Sequence, residues 1–233
     1  MSNPERVEFD SNGIKLVGRF RPGAGAGAGG FSPGVVICHP HPQFGGSMDN
    51  NVVYSIEGHC TRAGLATLCF NFRGVGGSEG EYDEMRGEVT DVISALWYLA
   101  GRTDIDSSLL GLSGYSFGGL MAMKAASSLL AKNRGNVNGL TLKGIGLVSP
   151  MPGGGPWEND DSLSDLLKSP PCTLVVASTR DQFCPPKTAR DLQMQIGPNS
   201  RIVMVEGADH FYWEREDEAG QPVADFMTSM LKA

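Results

Sequence analysis

Apolar residues are arranged along this chain in two different ways, and the change falls near residue 33. Before it, the segments 6–11 and 14–21 alternate between apolar and polar residues, with Asn12-Gly13 between them. Alternation on both sides of an Asn-Gly pair predicts a β-hairpin. After it, the apolar runs are continuous, as in strands that are buried on both faces. These runs are GVVICH, LATLCFNF, SLLGLSG, LKGIGLVS, TLVVAST and RIVMVEG.

Segments with helical periodicity alternate with these strands. They are predicted near 49–63, 85–101, 117–132, 186–196 and 222–232. Strands that alternate with helices predict an α/β protein, with a mostly parallel sheet and helices on both of its faces. No linker divides the chain, so we expect a single domain over 1–233. The irregular stretch 149–171 is too short for a second domain and is interpreted as a short flap.

Composition and charge exclude several classes of protein. Hydrophobic residues make up 40% of the chain and charged residues 19%, which is enough for a sizeable core. The net charge is −7 with scattered Lys and Arg, which argues against nucleic acid or a membrane surface as a partner. The polar N-terminus is unlike a signal peptide, and no apolar run approaches the ~20 residues of a membrane span. We therefore expect a cytoplasmic protein.

The pentapeptide pattern G-x-S-x-G occurs twice, and the surroundings of the two copies differ. The copy at 114–118 lies between a predicted strand and a predicted helix. A sharp turn from strand to helix exposes a serine hydroxyl at the carboxyl end of the sheet, and only small residues fit beside it. The copy at 76–80 lies in a glycine-rich loop with no helix start at Ser78. This context predicts Ser116 as a nucleophile.

A serine nucleophile needs a base, and the base needs an acid that orients it. The chain has four histidines: His39, His41, His59 and His210. His210 follows the last predicted strand, at the same end of the sheet as Ser116, and is the predicted base. Asp181 lies in the loop after the preceding strand and is the predicted acid. Three other carboxylates lie in the flap or directly beside the base: Asp160, Asp161 and Asp209.

The order serine, aspartate, histidine resembles that of the α/β-hydrolase superfamily. The motifs that carry the resemblance span most of the chain: VICHPHPQFGGSMDNNVV, LCFNFRGVGGSEGEYD, GYSFGG, TRDQFCPP and GADHFYW. Within the superfamily the chain is similar to small, nearly lidless bacterial-type hydrolases and esterases related to dienelactone hydrolase. The resemblance implies an eight-stranded sheet with one antiparallel strand near its start and a minimal cap. It implies triad roles for Ser116, Asp181 and His210.

The resemblance also implies an oxyanion hole made of two backbone N–H groups. One belongs to Phe117, the residue after the nucleophile. The other comes from the HPHPQFGG loop, whose prolines have no N–H. Similarity to the dienelactone-type loop favours Gln43, with His41 and Phe44 as alternatives.

Together these residues predict a serine hydrolase that cleaves small carboxylic esters, thioesters or lactones through an acyl-enzyme on Ser116. A peptidase with the same triad, or a non-hydrolytic lyase, isomerase or acyltransferase, is the alternative. No cofactor is expected, and His39 with His41 makes a poor metal site because no third ligand is near. An open sheet with an exposed edge strand also allows a homodimer. Seven residues are candidates for contact with substrate, and the alternative for each is packing in the core. They are Phe44, Tyr115, Phe117, Met151, Trp157, Phe183 and Trp213.

Overall fold

A computed structural model describes residues 3–23, 30–133, 140, 142–152 and 161–232. Its strands are β1 (Glu5–Ser11), β2 (Ile14–Arg21), β3 (Ser32–Cys38), β4 (Ala66–Phe70), β5 (Ile105–Tyr115), β6 (Leu142–Val148), β7 (Cys172–Ser178) and β8 (Ser200–Val205). Its α-helices are α1 (Asn51–Arg62), α2 (Arg86–Ala100), α3 (Phe117–Asn133), α4 (Ser164–Lys168), α5 (Pro186–Ile196) and α6 (Glu216–Leu231). The eight strands form one sheet in the order β1-β2-β4-β3-β5-β6-β7-β8.

The sheet is parallel apart from one strand near its start. β2 runs antiparallel to both of its neighbours, β1 and β4, and every other neighbouring pair is parallel. The predicted hairpin turn is present, with φ values of 52° at Asn12 and 86° at Gly13. Two successive residues with positive φ are what a two-residue hairpin turn requires. The predicted sheet and its antiparallel strand are therefore confirmed.

The sheet is buried on both faces, which explains the continuous apolar runs. In β3, Val36 and Cys38 face the cluster that contains residues of α2, α3 and α5. Their neighbours Val35 and Ile37 face the cluster that contains residues of α1 and α6. All four are fully buried, so each strand position has to be apolar whichever way it points.

The last helix differs from the expectation, and the predicted flap is described only in part. α6 begins at Glu216 rather than near 222, and Pro222 lies inside the helix instead of opening it. Three acidic residues in its first turn suit the positive end of the helix dipole. In the stretch 149–171, residues 153–160 lie outside the described residues. Leu163 and Leu166 of the same stretch are buried in the core, and the flap as a whole stays a prediction.

No helix within the described residues has both the length and the apolar character needed to cross a membrane.

Candidate active site

The turn between β5 and α3 places Ser116 at the carboxyl end of the sheet. β5 ends one residue before Ser116 and α3 begins one residue after it, so the serine alone makes the turn. Its φ is 54°, in the left-handed region that costs a side chain backbone strain. Its N–H donates to the carbonyl of Val148 on β6 at 2.9 Å, which ties the strained turn to the sheet.

Two glycines allow this turn to form. A Cβ atom on Gly114 would collide with the carbonyl oxygen of Gly118, and one on Gly118 would collide with the carbonyl oxygen of Cys38. The second contact brings the end of β3 against the first turn of α3. A larger residue at either position would push apart the elements that meet at Ser116.

Ser116, His210 and Asp181 lie in hydrogen-bonding contact. The Oγ of Ser116 is 2.9 Å from Nε2 of His210, and Nδ1 of His210 is 2.9 Å from each carboxylate oxygen of Asp181. All three residues are buried. The structure therefore brings together the three side chains that the sequence predicted as nucleophile, base and acid.

The surroundings of Asp181 keep its carboxyl group ionised. Burial alone would raise its pKa, but hydrogen bonds from His210 and from the Cys184 N–H outweigh burial, and the pKa lies below its usual value. Oδ1 accepts from the N–H groups of Phe183 and Cys184 at 2.8 and 2.7 Å. Because an ionised carboxylate only accepts, Nδ1 of His210 carries the ring proton. Nε2 is then free to accept a hydrogen bond from the Ser116 hydroxyl.

Buried hydroxyl groups form hydrogen bonds next to His210 and Asp181. The Tyr115 hydroxyl donates to the backbone carbonyl of His210 at 2.8 Å. The hydroxyls of Ser149 and Tyr212, both fully buried, lie 2.8 Å apart. Both residues have positive φ, 41° and 52°. Against the raising effect of burial, the Ser149 hydroxyl is among the groups that lower the pKa of Asp181. Two strained residues outside the triad thus present hydroxyls beside it.

The loop after β3 offers a different N–H from the one expected. The Gln43 N–H donates to Nδ1 of His41 at 3.2 Å, and the Phe44 N–H donates to the His41 carbonyl at 3.1 Å. The N–H of Gln43, the favoured oxyanion donor, therefore already has an acceptor. Among the described residues, no acceptor is found for the N–H of His41 or for that of Phe117, which opens α3. His41, one of the two alternatives, and Phe117 are the available pair.

A pocket of about 380 Å³ opens beside Ser116 and His210. Four residues expected to contact substrate line it: Phe44, Tyr115, Met151 and Phe183. Phe211 also lines it and was not predicted. Trp213 was predicted but is absent from the lining, and it is 69% exposed. Phe117 is fully buried in the core, so its side chain is not on the pocket surface, and Trp157 lies outside the described residues.

The remaining candidate acids and ligands within the described residues lie away from the contact between Ser116 and His210 or have other partners. Asp209 accepts hydrogen bonds from the N–H groups of Phe211 and Tyr212 at 2.9 and 3.2 Å. Asp161 is exposed, and Asp160 lies outside the described residues. His39 is buried, and its Nε2 accepts from the Phe72 N–H at 3.0 Å. In the described part of the chain, no group of three or more His, Cys, Asp or Glu side chains could hold a metal ion.

Comparison with known proteins agrees with this architecture. The family model for X-Pro dipeptidyl-peptidase (S15 family) matches residues 20–132, and the model for TAP-like protein matches residues 150–230. The structure of an α/β serine hydrolase homologue from Coxiella burnetii is 27% identical with a TM-score of 0.77, covering 97% of this chain and 98% of that one. The chain belongs to the α/β-hydrolase superfamily. A closer relation to dienelactone hydrolase stays a prediction.

Two further relatives extend over nearly the whole of this α/β hydrolase. An α/β serine hydrolase without lid from Xanthomonas campestris has a TM-score of 0.80 at 22% identity, covering 100% of this chain and 97% of that one. An uncharacterised protein of Rickettsia prowazekii is 26% identical, over 97% of this chain and 89% of its own length. The α/β-hydrolase fold predicted from the motifs is confirmed.

Three residues near the site of this α/β hydrolase were missed by sequence reasoning. Phe211 directly follows His210, and its ring centroid is 5.7 Å from the imidazole. Ser149 directly follows β6, and Tyr212 follows two residues after the base. Hydroxyl and aromatic residues next to predicted catalytic positions were the only signal, and the contacts between Ser149 and Tyr212 join segments 63 residues apart.

Proposed function

We propose that this α/β hydrolase is a serine hydrolase that cleaves small carboxylic esters, thioesters or lactones through an acyl-enzyme on Ser116. The observation that carries the proposal is the 2.9 Å contact between Ser116 Oγ and His210 Nε2, in a residue held at the tip of the strained turn. A serine hydroxyl is a weak nucleophile unless a base takes its proton, and the contact provides that base.

In the proposed reaction, Ser116 Oγ attacks the substrate carbonyl carbon while His210 Nε2 takes the hydroxyl proton. The tetrahedral oxyanion accepts hydrogen bonds from the N–H groups of Phe117 and His41. Losing one such donor typically costs ~10²–10³ in rate. His210 then gives its proton to the leaving group, and the acyl group stays on Ser116. Water, activated by His210, releases the acid.

Asp181 has a supporting role in this reaction. Its carboxylate faces the Nδ1–H of His210 at 2.9 Å from both oxygens. It therefore holds the imidazole in the tautomer that leaves Nε2 unprotonated. It also stabilises the imidazolium cation that forms when Ser116 attacks.

The match to the X-Pro dipeptidyl-peptidase model makes a peptidase the second candidate. A dipeptidyl-peptidase has to bind the α-ammonium group of its substrate, and buried ammonium groups need a carboxylate partner. Among the described residues that line the pocket, none is Asp or Glu. The lining therefore supports ester, thioester or lactone substrates over peptides with a free N-terminus.

The test is a panel of substrates assayed with the wild type and with Ser116→Ala. The panel contains ethyl acetate, a short acyl thioester, a five-membered lactone and Ala-Pro-p-nitroanilide. Hydrolysis of at least one of the first three that is lost in Ser116→Ala is expected. Hydrolysis that survives in Ser116→Ala, or cleavage of the anilide alone, would contradict the proposal.

A further inference from the structure

Three phenylalanines at the mouth of the pocket expose their rings to solvent. The exposed fractions are 85% for Phe44, 50% for Phe183 and 44% for Phe211, and all three line the pocket. Single exposed apolar side chains are ordinary, but a group of them around one pocket marks a surface that binds apolar material. The rings are thus available to a ligand rather than used by the core.

The three rings border the reacting atoms from two sides. Phe44 follows β3, which neighbours β5 on one side, whereas Phe183 and Phe211 follow β7 and β8 on the other side. The centroid of the Phe183 ring lies 4.9 Å from that of His210, and Phe183 and Phe211 meet edge to face at 6.1 Å. A substrate group held beside His210 therefore meets aromatic surface.

The same pocket offers nothing to neutralise a charged substrate. Among its described lining residues there is no Asp, Glu, Lys or Arg, and the titratable side chains are those of His41, Tyr115 and His210. The Oδ1 of Asn50 accepts the Val52 N–H at 3.0 Å and caps α1, so this uncharged amide has only its Nδ2 donors to offer a ligand. A carboxylate or ammonium group on the substrate would lose its hydration here without gaining an oppositely charged Asp, Glu, Lys or Arg side chain.

We propose that this site selects esters whose acyl group is uncharged and carries an aromatic ring, in preference to acetyl esters, with Phe44, Phe183 and Phe211 as the determinants. The proposal rests on the serine-hydrolase function proposed above. The volume of about 380 Å³ lies in the range of small-molecule sites and can hold a phenyl ring on a short linker. Edge-to-face and offset-stacked contacts favour such a ring over an aliphatic chain of equal size.

The experiment compares kcat/KM for ethyl acetate, ethyl phenylacetate, ethyl 4-carboxyphenylacetate and phenyl acetate. Ethyl esters are used because an aromatic leaving group could itself occupy the phenylalanines. The kcat/KM for ethyl phenylacetate is expected to exceed that for ethyl acetate by at least about 10-fold. The carboxylate of ethyl 4-carboxyphenylacetate is expected to remove most of this increase in kcat/KM. Phenyl acetate carries the ring on its leaving group. When kcat/KM is divided by the rate constant for hydrolysis without enzyme, phenyl acetate is expected to give a lower value than ethyl phenylacetate.

The variants Phe44→Ala, Phe183→Ala and Phe211→Ala identify the determinants. Each is expected to lower the ratio of phenylacetate to acetate by roughly 5-fold. The matched control is Phe31→Ala, because Phe31 is also 50% exposed but precedes β3, at the opposite end of the sheet. It is expected to leave the ratio unchanged. Thermal unfolding checks that each variant is folded.

Several results would overturn the inference. Equal kcat/KM for acetate and phenylacetate would do so, as would a ratio that is insensitive to all three pocket variants. A change of oligomeric state in these variants, without a change in selectivity, would assign the rings to a subunit interface instead. Failure of the wild type to hydrolyse any ester, together with no labelling by a fluorophosphonate, would overturn the proposed function itself rather than the acyl preference alone.

Discussion

The two G-x-S-x-G segments of this chain both bury their serine, but they differ in what surrounds the serine hydroxyl. Ser116 has a φ of 54°, and its hydroxyl lies 2.9 Å from an imidazole nitrogen. The Ser78 hydroxyl instead donates to the Asn71 carbonyl at 2.8 Å and accepts the Val17 N–H at 2.9 Å. One hydroxyl faces a base, and the other joins a loop to a strand.

The difference comes from what precedes and follows each serine. Ser116 lies between β5 and α3, so the strand ends and the helix begins at the serine itself. Ser78 lies in the loop between β4 and α2, where backbone groups satisfy its hydroxyl on both sides. The same five-residue pattern therefore forms a candidate active site at Ser116, and at Ser78 it forms a loop that is hydrogen-bonded to a strand.

The largest contrast is expected when each serine is replaced by alanine. Ser116→Ala is expected to lower kcat for the best ester by at least about 10⁴-fold, because no other hydroxyl faces His210 Nε2 among the described residues. Steady-state ester hydrolysis measures this, with thermal unfolding as the check on folding. Comparable loss of activity in Ser78→Ala, in a folded protein, would break the comparison.

Asp181→Asn is expected to have the next largest effect on activity. An amide can donate to Nδ1, which would favour the tautomer with the proton on Nε2, and kcat is expected to fall by roughly 10³–10⁴-fold. The control is Asp209→Asn, since the amide oxygen can still accept the N–H groups of Phe211 and Tyr212. Equal loss of activity in the two variants would contradict the role of Asp181 in orienting His210.

The histidines differ in the same way as the two serines. His210 contacts the Ser116 hydroxyl, whereas the buried His39 accepts a backbone N–H and has a structural role. Burial lowers the pKa of His39 to about 4, against 6.5 for the unperturbed group. The unfolded chain then binds more protons between these values, so the contribution of a neutral His39 is complete above pH 6.5 and is lost as pH falls towards 4. About 3 kcal/mol of stability depends on this group.

The measurement for His39 is the free energy of unfolding in urea at pH 8 and at pH 4.5. The wild type is expected to lose more stability between these values than His39→Gln, which keeps an acceptor for the Phe72 N–H. Identical pH dependence in the two proteins would show that His39 does not titrate on unfolding.

Ser78→Ala tests the structural half of the comparison directly. It removes both hydrogen bonds of a buried hydroxyl and leaves the Val17 N–H unsatisfied, so a loss of about 1–3 kcal/mol in stability is expected. Urea unfolding measures the loss, and ester hydrolysis at a temperature where the variant is folded is expected to change little. Unaltered stability would mean that water replaces the hydroxyl.

The smallest effect is expected for Ser149→Ala. Losing its hydroxyl removes the 2.8 Å contact with Tyr212 and one of the groups that, against burial, lower the pKa of Asp181. We expect kcat to fall by roughly 3–10-fold with KM nearly unchanged. A change in KM alone would contradict a role in positioning Asp181.

The sheet could be predicted from the sequence because strands that are buried on both faces consist of uninterrupted runs of apolar residues, as in Val35–Cys38. The meeting of Ser116, Asp181 and His210 could be predicted because each follows a strand at the same end of the sheet. The start of α6 could not be placed, because Pro222 resembles a first helical residue and its neighbours decided otherwise.

The N–H groups that stay free in the loop after β3 and the residues of the pocket wall could not be predicted, for a different reason. Which N–H of the loop is available depends on the His41 ring, which accepts the Gln43 N–H at 3.2 Å. Whether Phe211 or Trp213 lines the pocket depends on the direction of two exposed side chains in one short loop. Such orientations follow from packing between distant segments and leave no pattern along the chain.

The most direct test of the account is the intact mass of the protein after treatment with a fluorophosphonate probe. One adduct is expected on the wild type, one on Ser78→Ala and none on Ser116→Ala. This result requires an activated hydroxyl at Ser116 and nowhere else. No adduct on the folded wild type, or an adduct that persists in Ser116→Ala, would contradict the central claim that the turn between β5 and α3 presents the nucleophile.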